Sequence, residues 1–540
     1  MVVPELRPWR AARPQWKRIA NAVRPRLARA ATAAEPRVAR LTRALRPRPT
    51  RLPRRQAVRT WQYTAGAATA GLALAAGVVT AAGPWDANGQ RTAERDRAAA
   101  LERPGGADHG RSGTASASAP RPAPSAAPVL VGLDGPTDAL GTKKATPGGK
   151  PLPDVLRPLL DASALGDDQA AAVVDVATGK RLYGTGSGKA FTPASTTKIA
   201  TAVAALSALG PDHRLTTRAA LEPDTGELVL VGGGDPTLTA HRTTGRAGSG
   251  EDWAGLRTLA TDTARALRKR GIHKVTLSYD TTLYAGPALH PVGVNDNLAP
   301  VSALTVDEGR TGDSTSGPAP RVADPAKDAA GKFAALLKGA GITTTPPGPS
   351  KATTRAQTLA TVSSPPLSAL VERMLTNSDN DIAEHLARQT ALASGEPGSF
   401  DGAAKAISAR LTKLGLPMSG ASFHDGSGLN RDDRLTADLL TALLVTAGDP
   451  GRPGLRPVLT GLPVAGFTGT LTHRYTDGAA GVVRAKTGTL TGVNTLAGTV
   501  VDTDGRLLAF AFLASGTTDP LEAQSALDRT ATALAGCGCG

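Results

Sequence analysis

The spacing of apolar positions changes along this chain, and each change marks out an element. Residues 191–210, FTPASTTKIATAVAALSALG, carry Ile199, Val203, Leu206 and Leu209 at intervals of three and four. That is the spacing of one helix face, and Gly210 suits its end. Pro193 and Ser195 suit its start, where a serine caps free backbone N–H groups. Before it, residues 171–184, AAVVDVATGKRLYG, read as an apolar run, a Thr-Gly turn and a second short run, hence a hairpin. Over 216–345 the texture changes to short strands and loops, as in GELVLVGGGDPTL and HKVTLSYDTTLY, around one helix, DWAGLRTLATDTARALRKRG. Helical spacing returns over 365–395. Further on, VVRAKTGTL and TLAGTVVDTDGRLLAFAFLASG read as antiparallel strands, the latter pair turning at Asp504-Gly505. The helix PLEAQSALDRTATALAG follows.

Strands from both ends of this region, with helices between them, predict an α+β sandwich in which an antiparallel sheet is flanked by helices. Residues 151–215 and 346–540 form its two parts, and 216–345 is an inserted accessory domain.

Composition adds an N-terminal story. The net charge of +16 over 540 residues is concentrated in residues 1–60, where seventeen Lys and Arg face only Glu5 and Glu35. The remainder is nearly neutral, so no basic groove and no nucleic-acid partner are implied. Residues 64–83, TAGAATAGLALAAGVVTAAG, lie in an uncharged stretch between Arg59 and Asp86. Twenty residues make about 30 Å of helix, one bilayer crossing. The expectation is a basic cytoplasmic tail (1–60), a transmembrane anchor (61–84) and a flexible linker (85–150) rich in Pro, Gly, Ser and Ala, with everything after the anchor outside. A cleaved signal peptide is the alternative, though a sixty-residue basic leader is long for one. The two cysteines, Cys537 and Cys539, provide no disulfide framework. A local disulfide and two free thiols remain alternatives, and C-x-C without a second pair does not make a metal site.

Three short strings carry chemistry. STTK (Ser195 to Lys198) is S-x-x-K, SDN (Ser378, Asp379, Asn380) falls at a break between helices, and KTG (Lys486, Thr487, Gly488) falls on a strand. Each alone has a plain account as a cap, a polar loop or a strand end. In this order and these contexts they form the signature of penicillin-recognising serine enzymes. A serine hydroxyl needs an adjacent base, and Lys198 serves if burial and a positive neighbour such as Lys486 lower its pKa. Ser378 can relay a proton to the leaving amine, and Asn380 can hold a substrate backbone. Lys486, Thr487 and Thr489 suit a terminal carboxylate. Gly488 clears space for substrate along the strand, and the N–H groups of Ser195 and Thr489 suit an oxyanion.

Residues 153–540 resemble the class C low-molecular-mass penicillin-binding proteins, the D-alanyl-D-alanine carboxypeptidase/endopeptidase family. GGGDPTL (232–238), APVSALTVDEGR (299–310), DGSGLNR (425–431) and the cysteine-ended terminus are similar to that family's habits. The 180 positions from Lys198 to Ser378 far exceed the few tens of residues typical of class A β-lactamases. The resemblance implies a β-lactamase/transpeptidase-like domain split by the insert, which looks short for the family. It also implies a serine DD-peptidase that removes terminal D-Ala from peptidoglycan stem peptides, with cross-bridge cleavage as a further activity. Ser195, Lys198, Ser378 and Lys486 would be catalytic, and Asn380, Thr487, Gly488 and Thr489 substrate-binding. Implied partners are stem peptides, β-lactam inhibitors and the cytoplasmic membrane, with no cofactor and no metal. A β-lactamase and a non-catalytic, membrane-tethered penicillin sensor are the alternatives. No H-E-x-x-H joins the eight histidines and no G-x-S-x-G surrounds Ser195, which argues against a metallopeptidase and a Ser-His-Asp hydrolase. His385 and His424 read as ordinary surface or neighbouring residues, and Asp425 and Ser427 read as a turn, with a place near the site as the alternative and no role assigned.

Overall fold

The computed structural model describes residues 151–241, 253–475 and 478–538. The tail, anchor and linker expected over 1–150 lie outside them. Among the described residues no helix is long and apolar enough to cross a membrane.

The region opens with α1 (Leu152–Leu160), the hairpin β1 (Asp168–Asp175) and β2 (Arg181–Thr185), and α2 (Thr197–Leu209). There follow β3 (Thr216–Leu221), β4 (Glu227–Val231), α3 (Leu256–Lys269), β5 (Lys274–Asp280), α4 (Pro325–Gly339), β6 (Thr343–Thr344), β7 (Gly348–Pro349) and β8 (Gln357–Ser363). Four helices come next, α5 (Leu367–Asn377), α6 (Asn380–Ala393), α7 (Phe400–Lys413) and α8 (Ala437–Gly448), then the short α9 (Pro457–Thr460). Strands β9 (Arg484–Leu490), β10 (Val493–Val501) and β11 (Leu507–Ser515) and helix α10 (Pro520–Ala535) complete it.

The first sheet has the order β2-β1-β11-β10-β9 and is antiparallel throughout. Strands from the two ends of the region meet at its centre, with Val173 opposite Phe510. Both faces are covered, which is why β11 reads as an unbroken apolar run. Along it, Phe510 and Phe512 pack with Leu156 of α1 and Leu527 and Leu534 of α10. The alternate residues Ala509, Ala511 and Leu513 pack with Ile199 and Val203 of α2 and with Leu440 and Leu443 of α8. Helix α2 is buried from Thr197 to Leu206, so it is the centre of a helical layer rather than a one-sided surface helix. At the C-terminal side of α10, Cys537 is disulfide-bonded.

The second sheet, β6-β5-β4-β3-β8, is mixed, with β4–β5 and β5–β6 parallel and β3 antiparallel to both its neighbours. Parallel neighbours need crossovers, and α3 and α4 supply them. Leu259 and Leu267 of α3 and Phe333 and Leu337 of α4 share one apolar cluster with Leu228 and Leu230 of β4. Two features differ from the expected insert over 216–345. The sheet also takes β8, because β3 pairs along its whole length with Gln357–Ser363. It also carries α4, a second helix that starts where Asp324 accepts from the Lys327 N–H.

Candidate active site

Ser195 sits in a tight turn, Ala194–Thr196, immediately before α2. Ala194 holds φ at +48°, a conformation costly for a residue with a Cβ, so the turn is imposed by its surroundings. The Pro193 carbonyl accepts from Thr196 Oγ1 (2.7 Å) and from Thr495 Oγ1 of β10 (2.9 Å). Ser195 does not cap the helix. Its Oγ instead lies 3.0 Å from Lys198 Nζ, one turn on. Lys198 is completely buried, and its amine also donates to Asn380 Oδ1 (2.6 Å) and to the Ser427 carbonyl (2.7 Å).

The SDN string falls at the break between α5 and α6. Ser378 ends α5 in the left-handed region, with φ of 58°, and Asp379 caps α6 by accepting from the Ile382 N–H. Asn380, the first residue of α6, donates through Nδ2 to the Asn297 carbonyl while Oδ1 faces Lys198. A buried ionic knot anchors this break to the 306–321 loop. Arg310 pairs with Glu308 (2.7 Å), Arg321 with Asp381 (3.0 Å) and Arg373 with Glu308 (3.4 Å).

The KTG string lies on β9, the edge of the first sheet. Lys486, also completely buried, donates to Ser378 Oγ (2.9 Å) and to the Thr487 carbonyl (2.8 Å). Thr487 Oγ1 bonds Thr470 Oγ1 at 3.1 Å, and Thr489 is exposed. Gly488 has a different reason from the one expected. A Cβ there would lie 2.1 Å from Thr495 Oγ1, 2.7 Å from the Pro193 carbonyl and 3.1 Å from Ala194 Cβ. The missing side chain lets the serine turn close onto β9. The edge strand and the serine turn thereby lie together, joined to the SDN break by the Lys198–Asn380 and Lys486–Ser378 bonds.

Burial is the largest effect on both lysines. It lowers Lys198 to about 8, against the opposing pull of Asp425, Glu384, Asp379 and Asp381. It lowers Lys486 well below its ordinary value, helped by Lys198 and Arg474. A half-buried hydroxyl beside a buried amine whose pKa is near neutrality is the arrangement of an activated nucleophile.

The three catalytic motifs leave out the 425–433 loop, marked in the sequence only by the DGSGLNR resemblance, and there the structure brings Ser427 to Lys198 through a backbone carbonyl. Behind it, Asp425 meets His290 Nε2 at 2.9 Å, both side chains buried. Asp425 stays below its ordinary carboxyl value: burial pushes it up, but the His290 bond and the Gly428 N–H outweigh it. Burial and Asp425 together raise Asp433 to about 10. His385 is buried, not superficial, with Nδ1 3.0 Å from the Gly234 carbonyl, and burial lowers it to about 4. His424 is exposed.

The family model described as the D-Ala-D-Ala carboxypeptidase 3 (S13) family matches residues 154–320 and 312–534. Carboxypeptidase DacB of Mycolicibacterium smegmatis is 39% identical over 382 residues, covering 68% of this chain and 80% of that protein. The D-alanyl-D-alanine carboxypeptidase of an Actinomadura species is 29% identical over 435 residues, covering 67% and 80%. Among solved structures, penicillin-binding protein 4 of Haemophilus influenzae matches in fold with a TM-score of 0.58 at 21% identity, over 70% of this chain and 98% of that one.

Proposed function

This chain belongs to the D-Ala-D-Ala carboxypeptidase 3 (S13) family, and on that premise we infer that it is a serine DD-peptidase acting on peptidoglycan stem peptides through an acyl-enzyme on Ser195. The observation that carries the assignment of roles is the set of partners around Lys198 Nζ. Two of its three neighbours, Asn380 Oδ1 and the Ser427 carbonyl, are oxygens that can only accept. A neutral amine spends its two N–H groups on them and turns its lone pair to the third neighbour, the Ser195 hydroxyl. Lys198 is then the base that takes the Ser195 proton as Oγ attacks the carbonyl of the penultimate D-Ala.

The tetrahedral oxyanion takes hydrogen bonds from the backbone N–H groups of Ser195 and Thr489. Ser378, which already accepts from Lys486, relays the proton that Lys198 took, giving its own hydroxyl proton to the departing D-Ala amine as it receives the lysine's and the C–N bond breaks. Lys486, Thr487 and Thr489 face the terminal carboxylate, and the edge of β9 beyond its bridge from Arg484 to Val464 offers the extended peptide a strand to lie against. Water then frees the enzyme. A β-lactam offers the same serine a strained amide and blocks it as a penicilloyl ester. The seventeen basic residues ahead of the uncharged 64–83 segment support a single membrane crossing with this domain outside the cell. The test of the reaction is release of D-alanine from a peptide ending in D-Ala-D-Ala, together with mass spectrometry of the chain after benzylpenicillin.

A further inference from the structure

Glu384 lies on α6 one turn after Asn380, so both side chains start from one face of the helix. Asn380 reaches Lys198 directly. Glu384 reaches it at one remove. Its carboxylate, fully buried, accepts from the Ser427 N–H (2.8 Å) and the Gly426 N–H (3.1 Å). The carbonyl of that same Ser427 accepts from Lys198 Nζ at 2.7 Å. Asp425, also fully buried, holds the far end of the loop by accepting from the N–H groups of Gly428 (2.6 Å) and Asn430 (2.7 Å). The loop has no slack. A Cβ on Gly426 would lie 2.5 Å from Ala387 Cβ of α6, and one on Gly428 would lie 1.9 Å from the Ala194 carbonyl of the serine turn.

We propose that Glu384 is a positioning residue for Lys198: it fixes the Ser427 carbonyl that, with Asn380 Oδ1, occupies both N–H groups of the amine and so aims the lone pair at Ser195. The proposal rests on the reading of Ser195 as nucleophile and Lys198 as its base. A second, electrostatic consequence follows from charge. Burial lowers Lys198 to about 8 against the upward pull of the Glu384 carboxylate, and burial together with Asp425 raises Glu384 itself to about 7, so its charge is present where Lys198 loses its proton. A base works best with a pKa close to the working pH, so the carboxylate limits how far burial takes it. The other ionisable groups around the pair are Asp379 and Asp381 at the start of α6, Asp425 and Asp433 in the loop, His290 beside Asp425, and Lys486 on β9.

The experiment measures acylation of the full chain by a fluorescent penicillin from pH 5 to 9 in wild type, Glu384→Gln and Glu384→Asp, alongside their thermal melts. Gln keeps an acceptor for the Ser427 N–H and loses the charge, so the acidic limb of the rate profile shifts down by about one pH unit. Asp keeps the charge and withdraws one methylene from Ser427, so the limb stays and the plateau rate falls about tenfold, one lost hydrogen bond to a charged group. An unmoved limb in Glu384→Gln, or a wild-type plateau in Glu384→Asp, overturns the proposal. Failure of both variants to fold assigns Glu384 to the core alone and overturns it too. A wild-type chain that penicillin never acylates instead defeats the reading of Ser195, a distinct outcome.

Discussion

Lys486 Nζ donates to Ser378 Oγ across 2.9 Å, bonding the edge strand β9 to the break between α5 and α6. The two residues are 108 positions apart in sequence, and their bond ties the SDN break to the strand that also packs against the serine turn. Ser378 meets Lys486 from a left-handed backbone conformation, which costs a non-glycine residue about 1–3 kcal/mol. The knot of Glu308, Asp381, Arg310 and Arg321 behind the break holds it there. With Lys486 tied to Ser378 and Lys198 tied to Asn380, the two buried amines keep separate partners on the SDN break.

Ser195→Ala removes the hydroxyl that, among the described residues, lies against Lys198 Nζ. Penicillin labelling and D-alanine release should both disappear, and in the wild type the label should map to the peptide containing Ser195. Labelling of another serine that survives the substitution would contradict the assignment.

The pH profile has a fixed sign. Lys198 acts as base only when neutral, and burial lowers it to about 8, so acylation should rise as pH increases through about 8. Lys198→Met should lower the acylation rate by about 10²–10⁴-fold at every pH, the range for loss of a positioned base. A profile that is flat from pH 6 to 9 would rule out the lysine as the titrating base.

Gly488→Ala tests the closure of the serine turn on β9. Its Cβ would meet Thr495 Oγ1 and the Pro193 carbonyl, both tied into the turn, so the turn must shift. Overpacking of this kind costs about 1–3 kcal/mol, and acylation should fall more steeply than the melting temperature. Wild-type acylation by the variant would mean that the turn has freedom the packing denies it.

A peptidase and a β-lactamase share the S-x-x-K, SDN and KTG motifs and differ in how fast water removes the acyl group. Fast removal needs a base over the ester, such as the extra glutamate of class A β-lactamases, and Glu384 is committed to the Gly426 and Ser427 amides in the core. The penicilloyl adduct should therefore be long-lived while D-Ala-D-Ala peptide turns over. Rapid, sustained nitrocefin hydrolysis with no D-alanine released would reverse that conclusion.

The N-terminal expectation is tested on the mature protein. An intact basic tail in the membrane fraction, with the catalytic region accessible to protease from outside, fits an uncleaved anchor. A mature chain that begins after Ala82 would establish a cleaved leader.

Much of this protein is readable in its sequence because much of its chemistry is local. The i, i+3 spacing of Ser195 and Lys198, the helix break at Ser378 and the strand around Lys486 each need only a short window to be recognised. The hairpin of β10 and β11 is equally local, since Gly505 at φ of 80° marks its turn. Tertiary structure decided what long range alone can bring together. The Ser427 carbonyl reaches Lys198 across 229 positions, and a carbonyl is a group that every residue carries, so no residue type announces it. Strand β8 joined the second sheet because the edge of β3 required a partner, which a run of alternating polar and apolar residues does not name. Gly488 signalled a need for space, but only packing revealed that the space belongs to the serine turn. Glu384 sits where a helix surface would read as polar, and only the enclosing loop makes it a buried carboxylate that holds the Ser427 backbone beside the base.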